Sequence, residues 1–155
     1  MLVAESMRHV HSGVRLVLVG SGSDEHKLRR LIEQRRLGDR VTLEGAVSDE
    51  RLVELFRGAL GVYYGPYDED YGYVTVEAMA AHKPVVTLTD SGGPLELVRD
   101  GENGIVAAPK PREIAGALDS LANDPDVARA MGEAGHKLMM ETVPAWPEVV
   151  SRLLG

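Results

Sequence analysis

Short runs of Val, Leu and Ile recur between helix-patterned stretches, and this alternation constrains the chain more than any other feature. VRLVLVG (Val14 to Gly20), RVTLEG (Arg40 to Gly45), LGVYYG (Leu60 to Gly65), PVVTLT (Pro84 to Thr89) and GIVAA (Gly104 to Ala108) read as strands. They are made nearly all of Val, Leu, Ile and Thr and are bounded by Gly, Pro or charge. Between them lie helical patterns over Ser23 to Gly38, Ser48 to Ala59, Tyr73 to His82 and Pro94 to Asp100. Ser48 is placed as an N-cap, with Arg51 where a capping-box acid would sit, and Gly38 and Gly101 as helix stops. After Pro111 the pattern is helical only: Pro111 to Asp124, Pro125 to Thr142, and a last helix within Val143 to Gly155 entered through a Pro-flanked corner. Buried strands alternating with helices predict an α/β chain, a Rossmann-like parallel sheet covered by helices on both faces.

Composition narrows the class. At 155 residues and 44% hydrophobic, the chain is expected to form one domain over 1–155. A net charge of −7 speaks against a nucleic-acid partner or a polybasic membrane patch, because both need clustered Lys and Arg. With no cysteine, a disulfide framework and thiolate chemistry are excluded. MLVAESMRHVHSG lacks the basic start and apolar run of a signal peptide, so a soluble, cytoplasmic chain is expected, with peripheral membrane association left open for the intact protein.

In open parallel sheets, ligands bind beyond the carboxyl ends of the strands, which directs attention to the loops after Val19, Tyr64 and Thr89. The first, VGSGSD, lacks the third glycine of G-x-G-x-x-G; it reads as a tight turn rather than a dinucleotide site, although Gly20 and Gly22 leave room for a ligand to approach backbone. The second runs through Asp68, Glu69 and Asp70 into a helix that is apolar almost all round yet carries Glu77. Such a helix is expected to be buried, which would leave Glu77 partly desolvated unless it faces a cleft. Gly72 permits a turn whose following amides, at Tyr73 and Val74, point outward and suit a phosphate. Glu69 and Glu77 then flank that nest and address hydroxyls on either side of an anion. The bland alternative is that Glu77 complements the helix dipole. In the third loop, Gly92 and Gly93 precede a short helix; they are either another edge of the phosphate site or a plain strand-to-helix turn. The histidines, at 9, 11, 26, 82 and 136, show no ligand spacing, so no metal is expected.

The run E-D-Y-G-Y-V-T-V-E-A-M-A, Glu69 to Ala80, resembles the E-x7-E signature of the retaining group 1 (family 4) glycosyltransferases, which have a two-lobed GT-B fold. KPVV, SGGPLELVRDGENGIV and the stretch from Leu16 to Phe56 keep the family's order. The resemblance is to the carboxyl-terminal, nucleotide-sugar-binding lobe. It implies that Glu77 holds ribose hydroxyls, that Glu69 reaches the donor sugar as the catalytic carboxylate, and that the amides after Gly72, at Tyr73 and Val74, meet sugar and phosphate. It further implies a nucleobase lying along Gly45 to Val47, with Gly20 bordering the pocket. The implied ligand is a UDP-, GDP- or ADP-type sugar, with no cofactor or metal.

Family members carry, before the first helix, a strand and loop with an Arg and a Lys that neutralise the diphosphate, and an amino-terminal acceptor lobe. Met1 falls inside that helix. The expectation is therefore donor binding without turnover by this chain alone, the acceptor lobe as the absent partner, and a possible homodimer through the face that lobe would cover. The alternative is a catalytically silent nucleotide-binding or interaction module. His82 stands where the family more often has glycine, which demands unusual geometry at a helix end.

Overall fold

A computed structural model describes residues 1–143 and Ser151; the tail helix expected after Val143 falls otherwise outside the described residues. The chain runs α1 (Leu2–Ser6), β1 (Leu16–Val19), α2 (Glu25–Gln34), β2 (Val41–Gly45), α3 (Asp49–Gly58), β3 (Val62–Tyr63), α4 (Tyr73–Ala80), β4 (Val85–Leu88), α5 (Pro94–Leu97), β5 (Gly104–Ala107), α6 (Pro111–Asn123) and α7 (Pro125–Thr142). All pairings between these strands are parallel, as strand-helix alternation requires.

One expectation needs correcting. Among the described residues the strands do not form a continuous sheet: β1 pairs with β2, while β3, β4 and β5 form a separate sheet in that order. Both nevertheless rest on one apolar core. Leu16 and Leu18 of β1 pack with Val86 and Leu88 of β4, Tyr63 of β3, Val3 of α1, and Ile114, Ala117 and Leu121 of α6. Nor is the sheet covered throughout, because Val17 and Val19 on the other face of β1 remain 42% and 43% exposed.

Local chemistry sets the element ends. The Ser48 hydroxyl accepts the Arg51 amide at 3.3 Å, and Asp124 accepts the Val127 amide at 3.1 Å, each capping a helix start. Helix α2 stops earlier than Gly38. Arg36 takes the left-handed conformation, φ 53°, and the Leu37 amide reaches back to the Ile32 carbonyl at 2.9 Å. His82 does the same after α4, with φ 56° and the Lys83 amide on the Ala78 carbonyl at 2.9 Å. Its ring stacks on His136 of α7 at 3.8 Å, and Gly132 lets α7 come so close that a side chain there would meet the His82 carbonyl. The amino-terminal segment is also tied down. Arg40 donates to the carbonyls of Val10 and Ser12 at 3.0 and 2.9 Å, and Asp119 of α6 accepts the amides of His11 and Ser12.

Candidate functional site

The acidic loop is built as an extension of the β3–β4 pairing. The Asp68 amide donates to Asp90 at 2.9 Å, the Glu69 amide to Ser91 at 3.0 Å, and the Gly93 amide to the Glu69 carbonyl at 2.7 Å. Glu69 thus sits opposite Gly92 as an isolated parallel bridge. Of the two readings left open for Gly92 and Gly93, the turn fits Gly93, whose amide is committed to Glu69. A β-carbon on Gly92 would stand 2.6 Å from the Glu69 carbonyl oxygen, and one on Gly93 would meet the Asp70 carbonyl. These glycines are needed so that two loop backbones can lie against each other, and what they position is Glu69.

Gly72 opens α4 in the left-handed region, φ 75° and ψ 65°. Space is equally restrictive there, since a β-carbon would lie 2.8 Å from Pro94 Cγ and 2.9 Å from Tyr64 Cε1. The Gly72 carbonyl accepts the Thr75 amide at 2.9 Å, which leaves the amides of Tyr73 and Val74 in the first turn without a partner among the described residues. Farther along, Thr75, Ala78 and Met79 turn into the core, whereas Tyr73, Glu77 and Ala80 are exposed. Glu77 is therefore not desolvated, contrary to the expectation from its apolar neighbours. Three positions three or four apart form an open stripe beginning at the unpaired amides, and Glu77 lies one turn into it. Among the described residues no hydrogen bond or ion pair engages its carboxylate.

Glu69 is exposed as well and has one side-chain partner among the described residues, the Tyr64 hydroxyl, which donates to Oε2 at 3.4 Å. Burial, then the negative charge of Glu69, raises the Tyr64 phenol above its ordinary pKa, so it stays a donor. Sequence reasoning missed Tyr64. Its signal was an aromatic hydroxyl at the carboxyl end of a strand, five positions before the acid. Tyr71 and Tyr73, both exposed, bring their rings to 5.0 Å in a tilted pair beside Gly72.

The other candidate residues lie at the end of the β1–β2 sheet. The Gly20 amide donates to the Gly45 carbonyl at 2.7 Å, and both glycines have positive φ, 120° and 71°. They border a cleft of about 260 Å³ lined also by Met1, Leu18, Val19, Leu28 and Leu43. Asp24 and Glu25 are the charged side chains in its lining, and no Lys or Arg side chain is among the residues that line it. Val47 lies beyond Gly45 in the turn to α3 and is not part of the lining. Glu69, Gly72, Tyr73, Val74 and Glu77 do not line this cleft either: the two groups occupy carboxyl ends of different sheets. No cluster of three or more His, Cys, Asp or Glu among the described residues is arranged to hold a metal ion. No described helix is long and apolar enough to cross a membrane.

A parallel α/β lobe with its glycine turns and paired carboxylates at the carboxyl ends of the strands defines the class. The chain belongs to the group 1 glycosyl transferases, whose family model matches residues 2–138. It is 29% identical over 149 residues to human alpha-1,3/1,6-mannosyltransferase ALG2, covering 90% of this chain and 34% of that protein. Sucrose-phosphate synthase from Thermosynechococcus elongatus superposes with a TM-score of 0.86 at 29% identity, over 98% of this chain and 39% of that one. Anabaena HepE in complex with UDP-glucose superposes with a TM-score of 0.85 at 24% identity, over 99% of this chain and 44% of that one, a likeness of fold. The architecture is that of one lobe of a GT-B fold, and the chain spans about a third of the length of the mannosyltransferase it matches.

Proposed function

We propose that this chain is the donor-binding lobe of a retaining glycosyltransferase that moves a hexose from a nucleotide-diphosphate sugar to an acceptor. The observation that carries the reading is the opening of α4: a left-handed glycine, two unpartnered amides, and exposed carboxylates on either side at Glu69 and Glu77. Amides at a helix start favour an anion, here the diphosphate, and they favour it more as the bond from the anomeric carbon to the phosphate oxygen breaks and its electron pair moves to the leaving group. Carboxylates repel phosphate but accept hydrogen bonds from hydroxyls. Glu77 is assigned to the ribose diol and Glu69, held by Tyr64, to the donor sugar. The cleft at Gly20 and Gly45 takes the nucleobase, with Val47 at its margin. The relatives lend support: one is named a mannosyltransferase, and HepE was solved with UDP-glucose.

Attack on the anomeric carbon needs an acceptor held in place, which is the task of a second lobe. The chain alone is expected to bind donor without transferring it. With a net charge of −7 on the chain, affinity for the diphosphate should be weak and salt-sensitive. Calorimetry with UDP, GDP, ADP and their glucose or mannose conjugates tests this. One nucleotide family should bind, and its sugar conjugate should show no transfer to any acceptor offered. No binding by any member, with the fold intact by circular dichroism, overturns the reading.

A further inference from the structure

Among the described residues, exposed aromatic surface is confined to one loop. Tyr63 and Tyr64 pack against the core, and so does Phe56, the one phenylalanine of the chain. Tyr67, Tyr71 and Tyr73 are exposed, and all three fall within the acidic stretch that leads into α4. A large ring left in water costs apolar hydration, so rings gathered at one place on a surface mark a contact.

Two of these rings are held in place. The backbone that carries them is clamped from beneath: a β-carbon on Gly93 would stand 3.0 Å from the Tyr71 Cα, and Gly72 lies against Pro94 and the Tyr64 ring. From this fixed turn the Tyr71 and Tyr73 side chains leave outward, and their rings meet at 5.0 Å with 56° between the planes. In a tilted pair the positive edge of one ring is drawn to the negative face of the other, which restrains both. Tyr71, 44% exposed, is the half-covered prop, whereas Tyr73, 73% exposed, keeps a face open to solvent. A tyrosine restrained in this way offers a wide contact face that loses little further entropy on binding.

Position selects the occupant. Tyr73 opens α4 with its own amide unpaired, and the exposed Glu69 carboxylate lies two positions before Tyr71. A hexose with its phosphate on those amides and its hydroxyls toward Glu69 must cross the ground between them, where the two rings stand. A pyranose carries C–H bonds across its faces and hydroxyls around its rim. The C–H bonds suit the negative face of an aromatic ring, and the rim suits a carboxylate. We infer that Tyr73, propped by Tyr71, stacks on one face of the donor hexose and sets the preference for a sugar conjugate over the free diphosphate. This rests on the donor reading of α4 and adds to it a side-chain wall for the sugar.

The test is calorimetry on the 155-residue chain with UDP, GDP and ADP and with their glucose and mannose conjugates. The ratio of conjugate affinity to free-diphosphate affinity should fall about fivefold in Tyr73→Ala and about twofold in Tyr71→Ala, where only the prop is lost. Tyr73→Phe should keep the parent ratio, because stacking needs the ring and not the hydroxyl. NMR supplies a second readout: ring-current shifts should move the hexose C–H protons upfield on binding to the parent and to Tyr73→Phe, and not on binding to Tyr73→Ala. The rings are exposed, so circular dichroism should match throughout. An unchanged ratio in Tyr73→Ala, with nucleotide still bound, overturns the inference and leaves the donor reading standing. So does an equal loss for free diphosphate and conjugate, which would put the ring against the nucleotide, or a loss in Tyr73→Phe as large as in Tyr73→Ala. Failure of the parent to bind any nucleotide overturns the donor reading and this inference with it.

Discussion

Strands β1 and β4 are almost interchangeable as sequence, LVLV and VVTL, yet they have opposite environments. Every residue of β4 is buried, whereas β1 alternates between half-buried and exposed. The difference lies in what surrounds them. β4 has a strand on each edge, α4 and α7 toward one face, and α6 toward the other, while β1 has β2 on one edge and helices beneath it only. An aliphatic run states that a strand can be buried on both faces; whether it is depends on neighbours far away in sequence. Among the described residues β4 is enclosed on both edges, whereas β1 is open on one edge and on one face.

Glycine substitutions should separate the two halves most sharply. Gly93→Ala drives a β-carbon into the Asp70 carbonyl, backbone against backbone, whereas Gly22→Ala meets nothing within 4 Å. We expect the first to cost about 3 kcal/mol or more by overpacking and the second less than about 0.5 kcal/mol. Urea denaturation of both decides. Equal effects would mean that the Glu69–Gly92 bridge is not a fixed part of the fold.

Next comes truncation of the strands themselves. Val85 is fully buried, and Val85→Ala should cost about 2 kcal/mol in lost burial and residual cavity. Val17→Ala, at a side chain 42% exposed, should cost about 0.5 kcal/mol or less. A large loss at Val17 would show that something covers that face in solution.

The same contrast explains what was legible beforehand. Strand and helix positions followed from aliphatic runs and capping residues, because those signals are local. The break between sheets was not legible, since the five runs look alike and nothing in LVLV records a missing neighbour. Glu77 was misjudged for a related reason. An apolar helix implies burial only if all its sides are packed, and the small Ala80 left the Tyr73–Glu77 stripe open without changing the apolar pattern. Gly92 and Gly93 were legible as a turn but not as spacers, because the backbone they approach lies more than twenty positions earlier. Gly72 was legible as the turn into α4, though its left-handed conformation was not.

On the open stripe, Glu77→Gln and Glu69→Gln should differ in what they weaken. Losing the charge at Glu77 should reduce affinity for the free nucleotide diphosphate and its sugar conjugate alike, by about 1 to 2 kcal/mol. Glu69→Gln should weaken the sugar conjugate alone. Both carboxylates are exposed, so melting temperatures should match the parent, and a matched melting curve is the control. If neither change alters any nucleotide affinity, Glu77 is an ordinary surface residue on α4.

The smallest effect probes the boundary between the halves. Tyr63 sits on the open edge of β3 with its ring against the shared core, and its phenol is pushed up from about 10 to about 12, first by burial and then by the negative charge of Asp90. The unfolded chain therefore loses this proton before the folded one does. The stability that the neutral phenol contributes is complete below pH 10, declines as pH rises between 10 and 12, and is gone above the folded pKa. Ultraviolet titration of the parent should show one tyrosinate appearing near pH 12, absent from Tyr63→Phe, and the variant should unfold less steeply over that alkaline range. If the halves were joined only loosely, water would reach the ring and Tyr63 would ionise near pH 10, as a free phenol does. An ordinary titration would thus remove the common core while leaving the two sheets, which is the opposite of what the packing of Leu16 and Leu18 against Tyr63, Val86 and Leu88 requires.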